Sequence, residues 1–262
     1  MFELIDFETG LRVAVFAAVL AAMLFWEATL PRRQLSSRLS RWPANLGIFL
    51  INVLLLTLMP LSAIGASLIS IEYTFGLFFW YQLSFWPKVF ISLILLDLLI
   101  YWQHRLFHKM NWGWKLHRMH HTDTEFDVTT ALRFHPLEIL VSVLIKAVAI
   151  ILLGAPPFAV ILFEIVLNGA AMFNHSNIKI PLWLDRIMRI FVVTPDMHRV
   201  HHSIHSHEHN SNYGFCLSIW DKIFNSYIEY PQDGHQSMRI GLNIFNDESE
   251  KSLIRLVTQP FR

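Results

Sequence analysis

KVFISLILLDLLIYWQHRLFH, residues 88–108, decides the architecture. Val89 to Gln103 is an apolar run with a single charge, Asp97, bracketed by Lys88 and Arg105. Roughly 20 mostly apolar residues can cross a bilayer as a helix, and this run reads as such a span. It delivers His104 and His108 to one membrane face. Positions three and four apart share one side of a helix, so Asp97, Tyr101, His104 and His108 form a single stripe. Charges inside spans are costly and tend to be functional. Asp97 therefore reads either as a carboxylate orienting a histidine or as a salt-bridge partner of Lys146 or Arg105.

Working outward, two further spans precede this one. Leu11 to Leu30 is interrupted by Arg12 and Glu27, and Trp42 to Ile71 carries no charge. The acidic start, MFELIDFETG, lacks the basic segment and small-residue cleavage site of a signal peptide, so the first span reads as a retained helix. Arg32, Arg33, Arg38 and Arg41 crowd the first loop, which the positive-inside rule places in the cytoplasm. The second span then exits, and Ile71 to Pro87 reads as an aromatic-rich outer interface. The third span returns, bringing His104 and all later histidines to the cytoplasmic side.

Leu137 to Phe173 is apolar and broken at Gly154-Ala-Pro-Pro157. Two legs of about 17 residues reach roughly 25 Å each. If His120 and His201 share a site, the chain must leave and return between them, as a hairpin does. Residues 175–262 are more polar. The expected fold is all-α: an integral membrane protein with about four transmembrane helices, including the hairpin, and a cytoplasmic histidine-rich helical cap. Residues 1–87 hold the N-terminal helices, 88–230 the histidine-bearing unit and 231–262 a C-terminal tail.

All 14 histidines lie between His104 and His235. Three clusters stand out: His104-Arg-Leu-Phe-His108, His117-Arg-Met-His120-His121 and His198-Arg-Val-His201-His202. Helical spacing aims each cluster at one point. Eight imidazoles exceed the four that complete a structural zinc site and suit two metals at four or five ligands each. His175 is a ninth candidate. Imidazole binds iron, zinc, copper and nickel, so spacing alone leaves the metal open. His235 reads as an incidental core or surface residue, and His205, His207 and His209 as an incidental surface run, the competing reading being weak metal affinity or an extra ligand. Lys146 reads as snorkelling or paired.

Composition supports the membrane reading. The chain of 262 residues is 54% hydrophobic and 16% charged, whereas soluble domains run about 25% charged. A net charge of +1 carries no nucleic-acid signature. One cysteine, Cys216, excludes an internal disulfide, a CxxC pair and cysteine-held zinc or iron–sulfur sites. There is no HExxH, no acidic residue three places before any histidine, and no GxGxxG, GxSxG or P-loop. Without a flavin, haem or iron–sulfur motif, any electrons come from another protein.

The ordered motifs resemble the fatty acid hydroxylase/sterol desaturase superfamily. The resemblance rests on the three clusters, on the run Thr194-Pro-Asp-Met-His-Arg-Val-His-His-Ser203, on Asn212-Tyr-Gly214 and Trp220-Asp-Lys-Ile-Phe224, and on Leu132-Arg-Phe-His-Pro-Leu-Glu138. It spans about Asp97 to Tyr227. It implies a membrane-bound oxygenase holding two iron ions, which zinc can replace in isolated protein. By position the ligands fall on His104, His108, His117, His120, His121, His198, His201 and His202, with His175. His135 occupies a recurrent family position of open role. Lys179 stands where some members have a further histidine.

The resemblance implies O2-dependent hydroxylation or desaturation of a lipid C–H bond, fatty acyl or sterol-like, in lipid biosynthesis. A separate reductase with a ferredoxin or cytochrome would supply the electrons. The setting is a bacterial inner membrane, or the endoplasmic reticulum in a eukaryote. The competing reading is a non-catalytic metal-handling membrane protein, a transporter or sensor. That function wants ionisable ligands along a path across the bilayer, whereas these histidines gather at one face.

Overall fold

A computed structural model describes residues 2–262, with side chains described from residue 9 onward. The described residues are helical, without strands, and carry three isolated bridges: Pro31–Ile178, Val192–Leu217 and Ser203–Ile240. Six segments are long and apolar enough to cross a bilayer: Thr9–Thr29, Arg38–Thr57, Ala63–Trp80, Phe85–Lys109, Pro136–Leu153 and Pro157–Asn174. The chain is an integral membrane protein. The reading of its acidic start falls largely outside the described side chains.

Helix α1 (Phe2–Thr29) is followed by α2 (Arg38–Thr57) and α3 (Ala63–Glu72). The uncharged stretch Trp42 to Ile71 is thus divided, where one span was expected. Pro60 has no N–H and disfavours a helical Met59, and the Ser62 hydroxyl accepts from Gly65 N at 3.0 Å to start the new helix. Helix α3 and the short α4 (Leu77–Trp80) lie against the far end of the hairpin. Ser67 Oγ donates to Ala155 O at 2.5 Å. Gly76 has φ +121°, and a Cβ there would stand 2.4 Å from Gly154 N, so only glycine fits.

Helix α5 (Phe85–Lys109) runs back from that end, and α6 (Asn111–His121) folds sharply onto its terminus. Gly113 permits the corner, since a Cβ there would lie 2.9 Å from Phe107 Cα. The hairpin is α7 (Pro136–Leu153) and α8 (Pro157–Asn174), 18 residues each, or about 27 Å. Gly154, left-handed at φ 72°, ends α7. As the parity argument required, α8 returns to the end that α7 left. Ile64, Leu96, Ile100, Ile150 and Phe163 form the core between α3, α5, α7 and α8, held by close packing rather than by exclusion of water, since lipid is as apolar as these side chains.

The cap adds α9 (Leu182–Met188), α10 (Pro195–His201), α11 (Ser206–His209), α12 (Ile219–Ile223), α13 (Gly234–Ser237) and α14 (Leu253–Thr258). The C-terminal segment packs inward: Leu256 is buried with Ala44, Ile48 and Met119, and Arg118 Nη2 donates to Gln259 O at 2.9 Å. Arg41, fully buried, pairs with Asp123 at 2.5 Å and Asp127 at 3.0 Å, tying α2 to the segment after α6. Burial raises the Asp123 pKa, but the Arg41 guanidinium overcomes it and holds the carboxyl well below the ordinary range.

Candidate metal centre

Nine buried histidines converge into two groups that could each hold a metal ion. His104, His108, His117, His121 and His201 form one; His120, His175, His198 and His202 form the other. Within each group the ligand atoms lie within 4.8 Å of one another. Helix α5 supplies two residues to the first group, and the end of α8 supplies His175 to the second. The two HRxHH strings are divided oppositely. Helix α6 gives His117 and His121 to the first group and His120 to the second, whereas α10 and its C-cap give His201 to the first and His198 and His202 to the second.

The outward-facing nitrogens fix the tautomers. His104 Nδ1 donates to Tyr213 O at 2.8 Å, His117 Nδ1 to Glu138 Oε1 at 2.7 Å and His120 Nδ1 to Arg133 O at 3.2 Å. His175 Nδ1 donates to Ala171 O at 2.7 Å and His201 Nδ1 to Ser211 O at 2.6 Å. In a neutral ring the other nitrogen then carries a lone pair. Yet His104 Nε2 stands 3.1 Å from His117 Nε2, and His120 Nε2 stands 3.0 Å from His175 Nε2. Lone pairs so placed repel unless a cation lies between them.

Burial favours the neutral form of an imidazole. It pushes His120, His121, His198, His201 and His202 well below the ordinary imidazole pKa, with neighbouring histidines adding to the effect, and takes His175 down to about 4. Both nitrogens of His108, His121 and His202, together with His201 Nε2 and His198 Nδ1, are buried without a hydrogen-bond partner. Each such atom costs about 1–3 kcal/mol, a cost that ligation relieves for the nitrogens facing inward. Neutral imidazole lone pairs at these separations fit metal ions.

Supporting residues lie one layer out. Glu138, on the first turn of α7, is buried against His117. Asp221 accepts from Tyr213 N at 2.8 Å and Gly214 N at 2.7 Å, holding the carbonyl that fixes His104; burial pushes its carboxyl up to about 6. Asp97 touches no histidine. It accepts from Cys216 N at 3.2 Å, Leu217 N at 3.1 Å and Trp220 Nε1 at 2.8 Å, anchoring the same cap segment to α5. Lys146 pairs with Glu164 at 2.6 Å, and Arg105 donates to Tyr101 Oη and Phe224 O.

The remaining histidines stand outside both groups. His135 caps α7, its Nδ1 accepting from Leu137 N at 3.2 Å. His205 pairs with Asp233 at 2.7 Å, and His207 is exposed. His209 stacks on Trp114 with ring centroids 5.5 Å apart. His235 is buried, 3.7 Å from Asp196. Sequence reasoning missed the roles of Glu138 and Asp221. Both lie inside the quoted motif stretches, but no periodicity links them to His117 or His104.

The family model described as fatty acid hydroxylase matches residues 89–226, which contain both histidine groups. The ornithine lipid hydroxylase OlsE of Rhizobium tropici is 29% identical over 189 residues, covering 69% of this chain and 54% of that protein. The alkylglycerol monooxygenase of Homo sapiens is 28% identical over 54% of this chain and 30% of its own length. The cholesterol 25-hydroxylase of Rattus norvegicus is 24% identical over 53% of this chain and 46% of its own. The chain thus spans about half or less of these relatives. No solved structure matches it significantly.

Proposed function

The chain belongs to the fatty acid hydroxylase family, and from that premise we propose that it is a membrane-bound di-iron oxygenase that hydroxylates a C–H bond of a lipid. The observation that carries the reading is the facing of unprotonated imidazole nitrogens, His104 against His117 and His120 against His175, inside two complete histidine groups. Iron bound there supplies O2-dependent oxidation of an unactivated C–H bond. Residues 88–230 form the catalytic unit.

The chain's own residues hold and orient. His104, His108, His117, His121 and His201 hold one ion, and His120, His175, His198 and His202 the other. Glu138, Tyr213 O, Arg133 O and Ser211 O keep the Nδ1 protons outward and the Nε2 lone pairs inward. The burial of all nine rings excludes water from the reacting centre. The groups lie at the end of α5 and α8, where a lipid can keep its apolar body in the bilayer. Hydroxylation is favoured over desaturation because the relatives are named hydroxylases and monooxygenases. Electrons come from a separate reductase with a ferredoxin or cytochrome, on the cytoplasmic side that Arg32, Arg33, Arg38 and Arg41 mark.

The test is lipid mass spectrometry on cells expressing the chain under labelled O2. One labelled oxygen atom entering a lipid class, absent with His201→Ala, supports the reading. Unlabelled lipids from cells holding folded, iron-loaded protein and a competent reductase would sink it.

A further inference from the structure

The cap carries a cavity that no histidine lines. Its volume is about 330 Å3, and Arg186, Arg189, Lys222, Tyr227 and Glu229 line it. Arg189 is buried, its Nη1 donating to Glu229 O at 2.7 Å and its Nε lying 2.7 Å from Asp185. Lys222 Nζ spends one of its three donors on Arg189 O at 2.7 Å. Arg186 makes long contacts of 3.4 Å to Tyr230 Oη. Asp185 and Glu229 set against three cations leave one net positive charge.

The depth of the cavity follows from its ties to α5. Ser218 N donates to Phe191 O, Ser218 Oγ donates to Arg189 O, and the neighbouring Cys216 and Leu217 amides are held by Asp97. Asp97 lies about 10 Å before His104 along α5, inside an apolar span. The cavity floor is therefore fastened to a helix long and apolar enough to cross the bilayer. On the same two segments that carry these cations, 182–191 and 219–223, Trp183, Ile187, Ile190, Phe191, Ile219 and Ile223 are exposed, Phe191 by 66%. In water such a patch is a liability; at a membrane interface it is an anchor.

We propose that this cavity binds the phosphate of an anionic phospholipid from the surrounding leaflet. Arg186, Lys222 and Arg189 take the phosphate, while the acyl chains lie over Ile190, Phe191 and Ile223. A single net positive charge matches one phosphodiester. None of the nine clustered histidines lines this cavity.

The test is native mass spectrometry of the full chain released from nanodiscs of mixed phosphatidylglycerol and phosphatidylcholine. Preferential retention of one phosphatidylglycerol is expected, falling about fivefold for each cation removed in Arg186→Ala and Lys222→Ala. Arg186→Glu, which leaves the Lys222–Arg189 bond intact, should abolish the preference at unchanged metal content and melting temperature. Equal retention of the two lipids by the unaltered chain, or a preference that survives these variants, overturns the proposal. Displacement of the lipid by inorganic phosphate alone would do the same, marking a free-phosphate site.

Discussion

His104 Nε2 and His117 Nε2 face one another at 3.1 Å while each ring donates its Nδ1 proton outward, to Tyr213 O and to Glu138. The metal-free protein must hold these lone pairs together by packing alone. A bound cation converts the repulsion into ligation, and whatever binds only the folded state stabilises it. Ferrous or zinc ion added to chelator-treated protein should therefore raise the melting temperature, by the equivalent of about 2.7 kcal/mol at a hundredfold excess over Kd. An unchanged melting temperature would argue that the groups do not hold metal.

Glu138 should matter through His117. Its carboxylate holds the ring orientation and raises the basicity of Nε2, and losing such a partner typically costs 10–100-fold in metal affinity. Glu138→Ala should release metal to a chelator at a correspondingly lower concentration. Glu138→Gln, which keeps an acceptor oxygen, should fall between it and the unaltered chain. Identical release from all three would show that Glu138 does not support the ligand.

Much of this centre was legible because helical spacing is a local property. HxxxH and HxxHH place rings on one face whatever the tertiary context, so eight ligand candidates could be named from spacing, and His175 from its place after the hairpin and the family resemblance. Their division between two groups could not be. It depends on how α6 and α10 are rotated against each other, and identical HRxHH strings end up split in opposite senses. Asp97 was read by its stripe with His104, yet its carboxylate reaches backbone amides of residues 216 and 217, more than a hundred positions away. Glu138 and Asp221 escaped for the same reason. The uncharged stretch 42–71 read as one span because hydropathy outweighed Pro60, whose missing N–H breaks the helix.

Arg41 fastens α2 beneath the centre. It is fully buried and bonds to both Asp123 and Asp127, and its removal leaves two buried carboxylates without their cation. Breaking a buried pair costs about 3–5 kcal/mol, a large share of the 5–15 kcal/mol that a domain usually holds. Arg41→Met should lower the thermal midpoint in detergent sharply or prevent accumulation of folded protein. A variant as stable as the parent would remove Arg41 from the account.

Acid should weaken the metal-free fold. Burial lowers His175 to about 4 in the folded protein, against about 6.5 unfolded. Between those values the unfolded chain binds the extra proton, so stability is full above pH 6.5 and falls as pH drops towards 4. The other buried cap histidines, His120, His121, His198, His201 and His202, are displaced in the same direction and add to the slope. Melting temperatures of chelated protein across this range should decline with falling pH; a flat or rising profile would contradict the neutral, buried assignment.

Nine histidines arranged as two metal sites should be visible in the metal stoichiometry of the chain. Protein purified and reconstituted with iron without oxygen should hold about two ions per chain. His201→Ala, in the five-histidine group, and His202→Ala, in the four-histidine group, should each fall towards one ion while the other site stays filled, as read by metal analysis and iron spectroscopy on folded protein. A single ion in the unaltered chain, or folded variants that each keep both ions or lose both together, would rule out two separate sites.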